Sequence, residues 1–245
     1  MELDRVIGLR AGKTIFRAED KVIKMFDAEY SKSDILNEAL NQSRIEELGM
    51  NTPKIIEVGK LEGKWAIIQQ FIPGKPLEYL MKTQPQKMDE YINDMVQLQW
   101  DMHKRKPPLL NKLTDTLTRK IASCDLNATV RYDIIAQLNS MPKANSLCHG
   151  DFTPGNIILS EDGRYFMLDF SHSSVGNPLA DVAKSYILLG IYFGQEIGEK
   201  YMTLYCERAK VNVEDVRKWL RIVAASELAT ANDDVKTILT KFLSR

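Results

Sequence analysis

Short apolar runs separated by turn residues dominate the first part of the chain, which is the pattern of antiparallel strands. Valine, isoleucine and aromatic residues concentrate at residues 3–9, 14–17, 21–26, 54–61 and 64–70. Gly12, Glu19-Asp20 and Glu62-Gly63 supply turns between these runs. The first three runs predict a strand meander, and the last two predict a further pair of strands.

Helical periodicity appears once among these strands and then dominates the rest of the chain. A helix is predicted from about Asp34 to Leu48, with Ser33 as its N-cap and Gly49 as its stop. Its expected apolar face consists of Ile35, Leu36, Ala39, Leu40, Ile45 and Leu48. Beyond residue 73, helices are predicted at residues 88–105, 115–124 and 128–141. The sequence therefore predicts an α+β chain whose strands come first.

Composition narrows the class of protein. The 245 residues are 44% hydrophobic and 27% charged, which suits one large or two small globular domains. Thirty-three basic and thirty-three acidic residues give a formal net charge of zero, which argues against a nucleic-acid partner that needs a basic surface. No apolar run is long enough for a membrane helix, and the acidic start at Met1-Glu2-Leu3-Asp4 does not resemble a signal peptide. We expect no membrane partner and a cytoplasmic location.

The cysteines and histidines do not form a zinc-binding or disulfide pattern. Cys124, Cys148 and Cys206 are widely spaced and odd in number, so we expect reduced thiols. His103 lies in a helical pattern and is expected to have a structural or surface role.

The segment His149-Gly150-Asp151-Phe152-Thr153-Pro154-Gly155-Asn156 carries the strongest chemical signal. Asp169 follows Asn156 at an interval of 169 − 156 = 13 residues, at the end of an apolar run. Phosphoryl transfer needs one carboxylate for the acceptor hydroxyl and two oxygen-bearing side chains for Mg²⁺. Asp151 is the candidate for the acceptor hydroxyl, and Asn156 and Asp169 are the candidates for the metal.

A hairpin would bring the two metal-ligand candidates together. Ile157 to Leu159 and Tyr165 to Phe170 read as strands, and Glu161-Asp162-Gly163 reads as the turn between them. This hairpin would return Asp169 to the side of Asn156, where Mg²⁺ could bind their oxygens.

Lys24 interrupts the apolar strand Val22 to Phe26, as the nucleotide-contacting lysine of a kinase does. A lysine that points inward needs an anionic partner. Glu38 on the predicted helix is the best placed, with Glu46 and Glu47 as alternatives, and an exposed strand lysine is the competing interpretation. The loop from Arg10 to Thr14 falls where kinases cover the nucleotide phosphates, but it has the single glycine Gly12 and no full glycine-rich motif.

At these residues the chain resembles the aminoglycoside phosphotransferase and choline kinase superfamily. The segment Asn177-Pro178-Leu179-Ala180-Asp181 matches a further family motif. Within it, Asn177-Pro178 is predicted to be the N-cap and first position of a helix. The resemblance implies a two-lobed, protein-kinase-like fold, with a nucleotide-binding lobe at residues 1–72 and a helical lobe with the catalytic loop and acceptor site at residues 73–245. It also implies an ATP-dependent reaction, with GTP as an open alternative because backbone contacts do not identify the base.

The resemblance also implies roles for residues that carry little signal of their own. The carbonyl of Gln70 and the N–H of Ile72 would pair with adenine, although an ordinary surface turn would explain this segment as well. His149 would brace the catalytic loop. Asp181 would hydrogen-bond the loop backbone, whereas a purely local interaction with the dipole of its own helix is the alternative.

The expected class of substrate rests on the sequence after Asp169, which differs from that of protein kinases. Ser171 replaces the usual glycine after Asp169-Phe170, and few residues separate Asp169 from the next helix. This leaves little room for a phosphorylated activation segment. We therefore expect Mg²⁺- and ATP-dependent phosphorylation of a hydroxyl on a small molecule of the amino sugar, amino alcohol or sugar type. The alternatives are a protein-directed kinase and a non-catalytic nucleotide-binding scaffold.

The acceptor and the oligomeric state are not specified by the sequence. Aromatic and acidic residues after Asp181 could bind an acceptor, but at helical spacing such residues also serve as core or as solvated surface. The candidates are Tyr186, Tyr192, Phe193, Tyr201, Tyr205, Trp219, Glu227, Asp233 and Asp234.

Overall fold

The computed structural model describes residues 5–10 and 12–243, which divide into two compact units. The first unit contains the chain up to Thr83 together with Pro154–His172, and the second contains Gln84–Thr153 and the chain from Ser173 onward. Asn156 and Asp169 thus belong to the first unit and Asp151 to the second. The assignment of nucleotide binding to residues 1–72, and of the catalytic loop and acceptor site to residues 73–245, stays a prediction.

The elements of the first 83 residues confirm the predicted strand-rich start. In chain order they are β1 (Arg5–Arg10), β2 (Lys13–Ala18), β3 (Lys21–Phe26), α1 (Lys32–Glu47), β4 (Ile55–Leu61), β5 (Lys64–Gln70), β6 (Gly74–Pro76) and α2 (Leu77–Thr83). The first five strands form an antiparallel sheet in the order β1-β2-β3-β5-β4. The predicted start of the first strand, residues 3 and 4, and Ala11 of the predicted phosphate loop lie outside the described residues.

Helix α1 packs on this sheet through Ile35 and Ala39, which contact Phe26 and Ile67. The predicted N-cap was wrong by two residues, because Ser31 precedes the helix and Ser33 lies inside it. The predicted apolar face was also partly wrong. Leu36 and Leu40 are 42% and 47% exposed, since each follows a buried residue and is rotated by about 100° from it.

The remaining elements confirm a mainly helical second part. They are α3 (Met88–His103), α4 (Leu113–Ser123), α5 (Ala128–Ser140), β7 (Ser146–Cys148), β8 (Ile157–Ser160), β9 (Tyr165–Met167), β10 (Ser174–Gly176), α6 (Pro178–Phe193), α7 (Gln195–Ala209), α8 (Val213–Glu227) and α9 (Asp233–Thr240). The three predicted helices correspond to α3, α4 and α5 with ends shifted by one or two residues. Among the described residues, no helix is long and apolar enough to cross a membrane.

The predicted hairpin is present as β8 and β9, which pair antiparallel with Ile157 opposite Met167. The second strand is shorter than predicted. It ends at Met167, and Asp169 takes a left-handed backbone conformation with φ of 57°. Strand β6 pairs with the other edge of β8, and Gly74 permits this approach because a Cβ there would lie 2.4 Å from the Leu159 carbonyl oxygen.

Helix α6 is central to the second unit, where it packs against α7 and α8. Asn177 caps it by accepting a hydrogen bond from the Leu179 N–H at 2.9 Å, and Pro178 is its first residue, as predicted. Gly198 lets α7 approach closely, since a Cβ there would lie 2.8 Å from the Tyr186 carbonyl oxygen. The first turn of α6, which carries Asp181, thus begins at a capped end, and α7 packs closely against the middle of the helix.

Candidate active site

Lys24 and Glu38 form a buried ion pair in the first unit. Lys24 Nζ donates to Glu38 Oε1 at 2.9 Å, and the two residues are 6% and 4% exposed. Burial lowers the pKa of Lys24, but the charges of Asp169 and Glu38 outweigh it and raise that pKa above its ordinary value. Glu38 is thus the partner rather than Glu46, which accepts from the Ile55 N–H at 2.7 Å. The interpretation of Lys24 as an exposed lysine was wrong.

Lys13 is a second buried lysine at the same place, and it was missed in the sequence. Its Nζ lies 3.1 Å from Glu38 Oε2 and 3.6 Å from Asp169 Oδ2. Strand β2 begins at Lys13 rather than at Thr14, which puts Lys13 opposite Phe26 and Ile15 opposite Lys24. Both lysines therefore lie on the face of the sheet that α1 covers. The register of this hairpin was the signal that could have identified Lys13.

Asp169 is held as a carboxylate by these two lysines. Burial raises its pKa, but the charges of Lys24 and Lys13 are stronger and hold the pKa of Asp169 well below its ordinary value. Its Oδ1 is buried and accepts no hydrogen bond from the described residues, while Lys24 Nζ lies 4.0 Å away. A buried carboxylate oxygen without a donor is unfavourable unless a cation binds there.

A backbone hydrogen bond brings Asn156 close to the chain at Asp169. It closes a short 3₁₀ turn before β8, and its carbonyl oxygen accepts a hydrogen bond from the Leu168 N–H at 2.8 Å. The structure thus brings the chain at Asn156 alongside the residue that precedes Asp169. The amide of Asn156 and the carboxylate of Asp169 are the oxygen donors that Mg²⁺ prefers, so the residues present fit a magnesium ion.

The predicted nucleotide-binding backbone residues lie around the same sheet. Gly12 has φ of 72°, and its carbonyl accepts from the Asp27 N–H at 2.9 Å. Gln70 ends β5, where its N–H donates to the Lys54 carbonyl at 2.8 Å. Ile72 is 4% exposed. The roles assigned to Gly12, Gln70 and Ile72 stay predictions.

Asp181 connects its helix to the predicted catalytic loop in the second unit. Its Oδ2 accepts from the His149 N–H at 3.0 Å, and its Oδ1 accepts from the Gly150 N–H at 2.7 Å. Gln99 and His103 donate to Oδ2 at 3.2 and 3.1 Å. Burial raises the pKa of Asp181, but the hydrogen bond and charge of His103 lower it below its ordinary value. Asp181 therefore does more than interact with the dipole of its own helix.

Two buried histidines support this arrangement. His149 is fully buried, accepts from the Asp151 N–H at Nδ1 over 3.3 Å, and stacks edge-on against Phe152 at 5.8 Å. His103 is buried rather than on the surface, and its Nδ1 lies 2.6 Å from the Tyr205 hydroxyl. Ligand atoms of His103, Cys148 and Asp181 lie within 4.8 Å of one another. Because Asp181 already accepts backbone hydrogen bonds, this cluster fits a loop support rather than a metal site.

The Asp181 network predicts a large stability effect. We expect Asp181→Ala to lower the free energy of unfolding by about 3–5 kcal/mol, because it removes the acceptor of the buried His149 N–H and the half-buried Gly150 N–H, together with the carboxylate that pairs with the buried His103. Chemical denaturation monitored by circular dichroism would measure this. Asp133→Ala, at an exposed position of α5, should change stability by no more than about 0.5 kcal/mol. Equal effects of the two substitutions would contradict the assigned support role.

Asp151 faces a lysine that the sequence also did not reveal. Lys184 on α6 places its Nζ 3.8 Å from Asp151 Oδ1 and 3.0 Å from Glu227 Oε2. Lys120 contacts the other oxygen of Glu227 at 2.9 Å. Burial opposes ionisation of Glu227, yet the charges of Lys184 and Lys120 lower its pKa to about 2. Lys184 follows Asp181 by about a single helical turn, and this spacing was the signal in the sequence that could have identified Lys184.

A cavity of about 260 Å³ opens beside Asp151 within the second unit. Its lining residues come from α6, α8, α9 and the loop before α9 and include Lys184, Tyr192, Glu227 and Asn232. Tyr192 and Glu227 were among the predicted acceptor residues. The aromatic candidates Tyr186, Tyr201, Tyr205 and Trp219 are instead buried, and Asp233 and Asp234 lie in the first turn of α9.

The sequence matches the model of the phosphotransferase enzyme family over residues 10–221, and the chain belongs to that family. Among solved structures, an aminoglycoside-3'-phosphotransferase of type VIII is 18% identical with a TM-score of 0.67, covering 88% of each chain. Choline kinase LicA from Streptococcus pneumoniae is 14% identical with a TM-score of 0.68, covering 100% of this chain and 94% of that one.

A third similar structure holds ligands. It is a thermostable mutant of aminoglycoside phosphotransferase APH(4)-Ia in a ternary complex with ADP and hygromycin B, 12% identical with a TM-score of 0.69, covering 98% of this chain and 92% of that one. No curated protein matches the sequence significantly. The predicted superfamily and the predicted kinase-like fold are confirmed.

Proposed function

We propose that the protein transfers the γ-phosphate of ATP to a hydroxyl group of a small molecule in a Mg²⁺-dependent reaction. The observation that carries this proposal is the cluster of Lys24, Glu38 and Asp169, in which the Asp169 carboxylate keeps one buried oxygen without a hydrogen-bond donor among the described residues. In a chain of the phosphotransferase enzyme family, such a cluster suits a metal–triphosphate complex.

The first unit would bind the nucleotide. Lys24, oriented by Glu38, would contact the phosphates, and Asn156 and Asp169 would hold Mg²⁺. The metal neutralises phosphate charge when it is bound. The backbone of Gln70 and Ile72 would receive the base and Gly12 would lie at the phosphate loop. The ADP in the APH(4)-Ia complex supports a nucleotide substrate, and GTP is the second candidate because backbone contacts serve either purine.

The second unit would act on the acceptor. Asp151 would accept a hydrogen bond from the acceptor hydroxyl, whose oxygen attacks the γ-phosphorus while the bond to the β–γ bridging oxygen breaks. The hydroxyl proton would pass to Asp151 and then to water, and ADP would leave with the bridging oxygen. His149 and Asp181 would hold Asp151 in place by bracing the loop.

A small acceptor is favoured by the chain after Asp169. Only residues 170–177 separate Asp169 from α6, and they form a 3₁₀ turn and β10. A phosphorylated activation segment would need more chain than this. Two similar structures support an acceptor of low molecular mass. One is a complex that contains hygromycin B, and the other is a choline kinase.

Transfer from radiolabelled ATP tests this proposal. The protein would be incubated with Mg²⁺ and separate panels of sugars, amino sugars, amino alcohols and proteins, and the labelled products would be separated and identified by mass. We expect label in a small molecule. Label in protein substrates alone would favour the protein-directed alternative, and nucleotide binding without any transfer would favour the scaffold alternative.

Lys13 leads to a separate prediction about the phosphates. Lys13 and Lys24 share Glu38 and Asp169, so Mg²⁺ bound at Asp169 would replace both ammonium groups there and leave them, still paired with Glu38, available to phosphate oxygens. We expect Lys13→Gln to weaken binding of Mg-ATP by about ten- to a hundredfold and binding of adenosine little, as measured by calorimetry. Lys64→Gln, a change at an exposed lysine of β5, is the control. An equal loss for ATP and adenosine would contradict a phosphate contact.

A further inference from the structure

We infer that the acceptor is a compact polyhydroxyl compound without positive charge, such as a single-ring sugar or cyclic polyol, and that Lys184 and Glu227 set this specificity. The inference rests on the proposed function and concerns the cavity beside Asp151. It differs from the polycationic acceptor that a likeness to aminoglycoside phosphotransferases would suggest.

The size of the cavity favours a single ring. Its volume of about 260 Å³ lies just below the range of about 300–1,000 Å³ that is typical of pockets for drug-sized ligands. A multi-ring aminoglycoside would extend well beyond it. A compound with one ring would fill it while keeping a hydroxyl at Asp151.

The charges of the cavity disfavour a cation. Glu227 is the carboxylate nearest to Lys184, at 3.0 Å, and Lys120 contacts its second oxygen at 2.9 Å. Lys184 also faces Asp151 at 3.8 Å. Lys120 does not line the cavity, but through its contact with Glu227 it completes a group of two carboxylates and two ammonium groups that balance to zero net charge. A polycation would bring ammonium groups near the buried Lys184 without finding an uncompensated carboxylate.

The walls also lack the features that bind a quaternary ammonium group. Such groups are held by cages of several aromatic rings. Among the described residues that line this cavity, Tyr192 is the only aromatic one, and it is 61% exposed. The cavity is therefore a poor match for choline.

The walls of the cavity have an apolar part and a polar part, which match the C–H groups and the hydroxyl groups of a sugar ring. Apolar side chains of Ile187, Ile191 and Leu239 form one part, and a sugar ring presents C–H groups to such a surface. Thr230 and Asn232 form a polar part. Asn232 uses its side-chain oxygen to cap α9, accepting from the Val235 N–H at 2.9 Å, so its NH₂ group is the part that would donate to ligand hydroxyls.

The inference is tested by comparing acceptors of different charge in the wild type and in variants that change the charge of the cavity. Values of kcat/KM would be measured with ATP for neutral hexoses and cyclic polyols, for choline, and for aminoglycosides including hygromycin B. We expect the wild type to prefer a neutral acceptor. Lys184→Met leaves net negative charge in the cavity and should raise the ratio of cationic to neutral kcat/KM by about ten- to a hundredfold. Glu227→Gln leaves net positive charge and should lower that ratio.

Lys218→Met is the matched control, because it removes the same charge from an exposed position on α8, and it should leave the ratio unchanged. Thermal unfolding would show whether each variant folds. If Lys184→Met does not fold, Glu227→Gln and Lys184→Gln carry the test, since both amides retain hydrogen-bonding capacity.

The possible outcomes separate this inference from the proposed function. A wild type that binds Mg-nucleotide but prefers an aminoglycoside or choline, or phosphorylates no neutral acceptor, would overturn the inference and leave the nucleotide site standing. A ratio that none of the cavity variants changes would overturn the role of Lys184 and Glu227. A wild type that binds no nucleotide would contradict the proposed function itself.

Discussion

Asp169→Asn is expected to reduce turnover by about three orders of magnitude or more and to abolish the Mg²⁺ dependence of nucleotide binding. The amide keeps the size of the side chain but removes the charge that Lys13 and Lys24 hold in place. It also replaces one of the two carboxylate oxygens with an NH₂ group, which cannot bind a metal. Steady-state kinetics and calorimetry with and without Mg²⁺ would measure the two effects.

The fold should survive this substitution, because Lys13 and Lys24 both keep Glu38 as a partner at 3.1 and 2.9 Å. Asp162→Asn is the matched control, since Asp162 lies in the turn of the same hairpin and is solvent-exposed. It should retain normal turnover. Near-normal activity of Asp169→Asn would refute its assignment to the metal.

Asp151→Asn should lower kcat by about 10²–10⁴-fold while the dissociation constant for Mg-ATP changes by no more than about twofold. The amide cannot accept the proton of the acceptor hydroxyl. Nucleotide affinity should persist because Lys24, Glu38 and Asp169 belong to the first unit, whereas Asp151 belongs to the second. Single-turnover kinetics and calorimetry on the same preparation would separate chemistry from binding.

Loss of the Asp151 charge should not disrupt the loop. Lys184 keeps Glu227 at 3.0 Å as its closer partner, and the loop backbone remains fixed by Asp181. A fall of more than about tenfold in nucleotide affinity would mean that Asp151 contacts the nucleotide or the metal. In that case its assignment to the acceptor hydroxyl would be wrong.

Local signals explain why much of the candidate site could be predicted from the sequence. The turn at Glu161-Asp162-Gly163 specifies a hairpin between neighbouring strands, and that hairpin brings the chain near Asp169 back to Asn156. Lys24 was recognisable because a single cation interrupts an apolar strand. Asn177-Pro178 similarly marks the start of α6 through residues that act within one helical turn.

The residues that were missed depend on contacts between distant segments. Lys13 lies 25 residues from Glu38 and joins it only through the register of β2 and β3. Lys184 meets Glu227 only through the packing of α6 against α8. The end of β9 at Met167 was also unpredictable, since the left-handed conformation of Asp169 is unfavourable for a residue with a side chain.

Calorimetric titration of the wild type with ATP and with GTP, each with and without Mg²⁺, tests the central claim most directly. The proposed function predicts that one of the two nucleotides binds with an affinity that depends on Mg²⁺, and that Asp169→Asn loses this dependence while remaining folded. Absence of binding for both nucleotides, or equal binding by the wild type and Asp169→Asn in Mg²⁺, would contradict it.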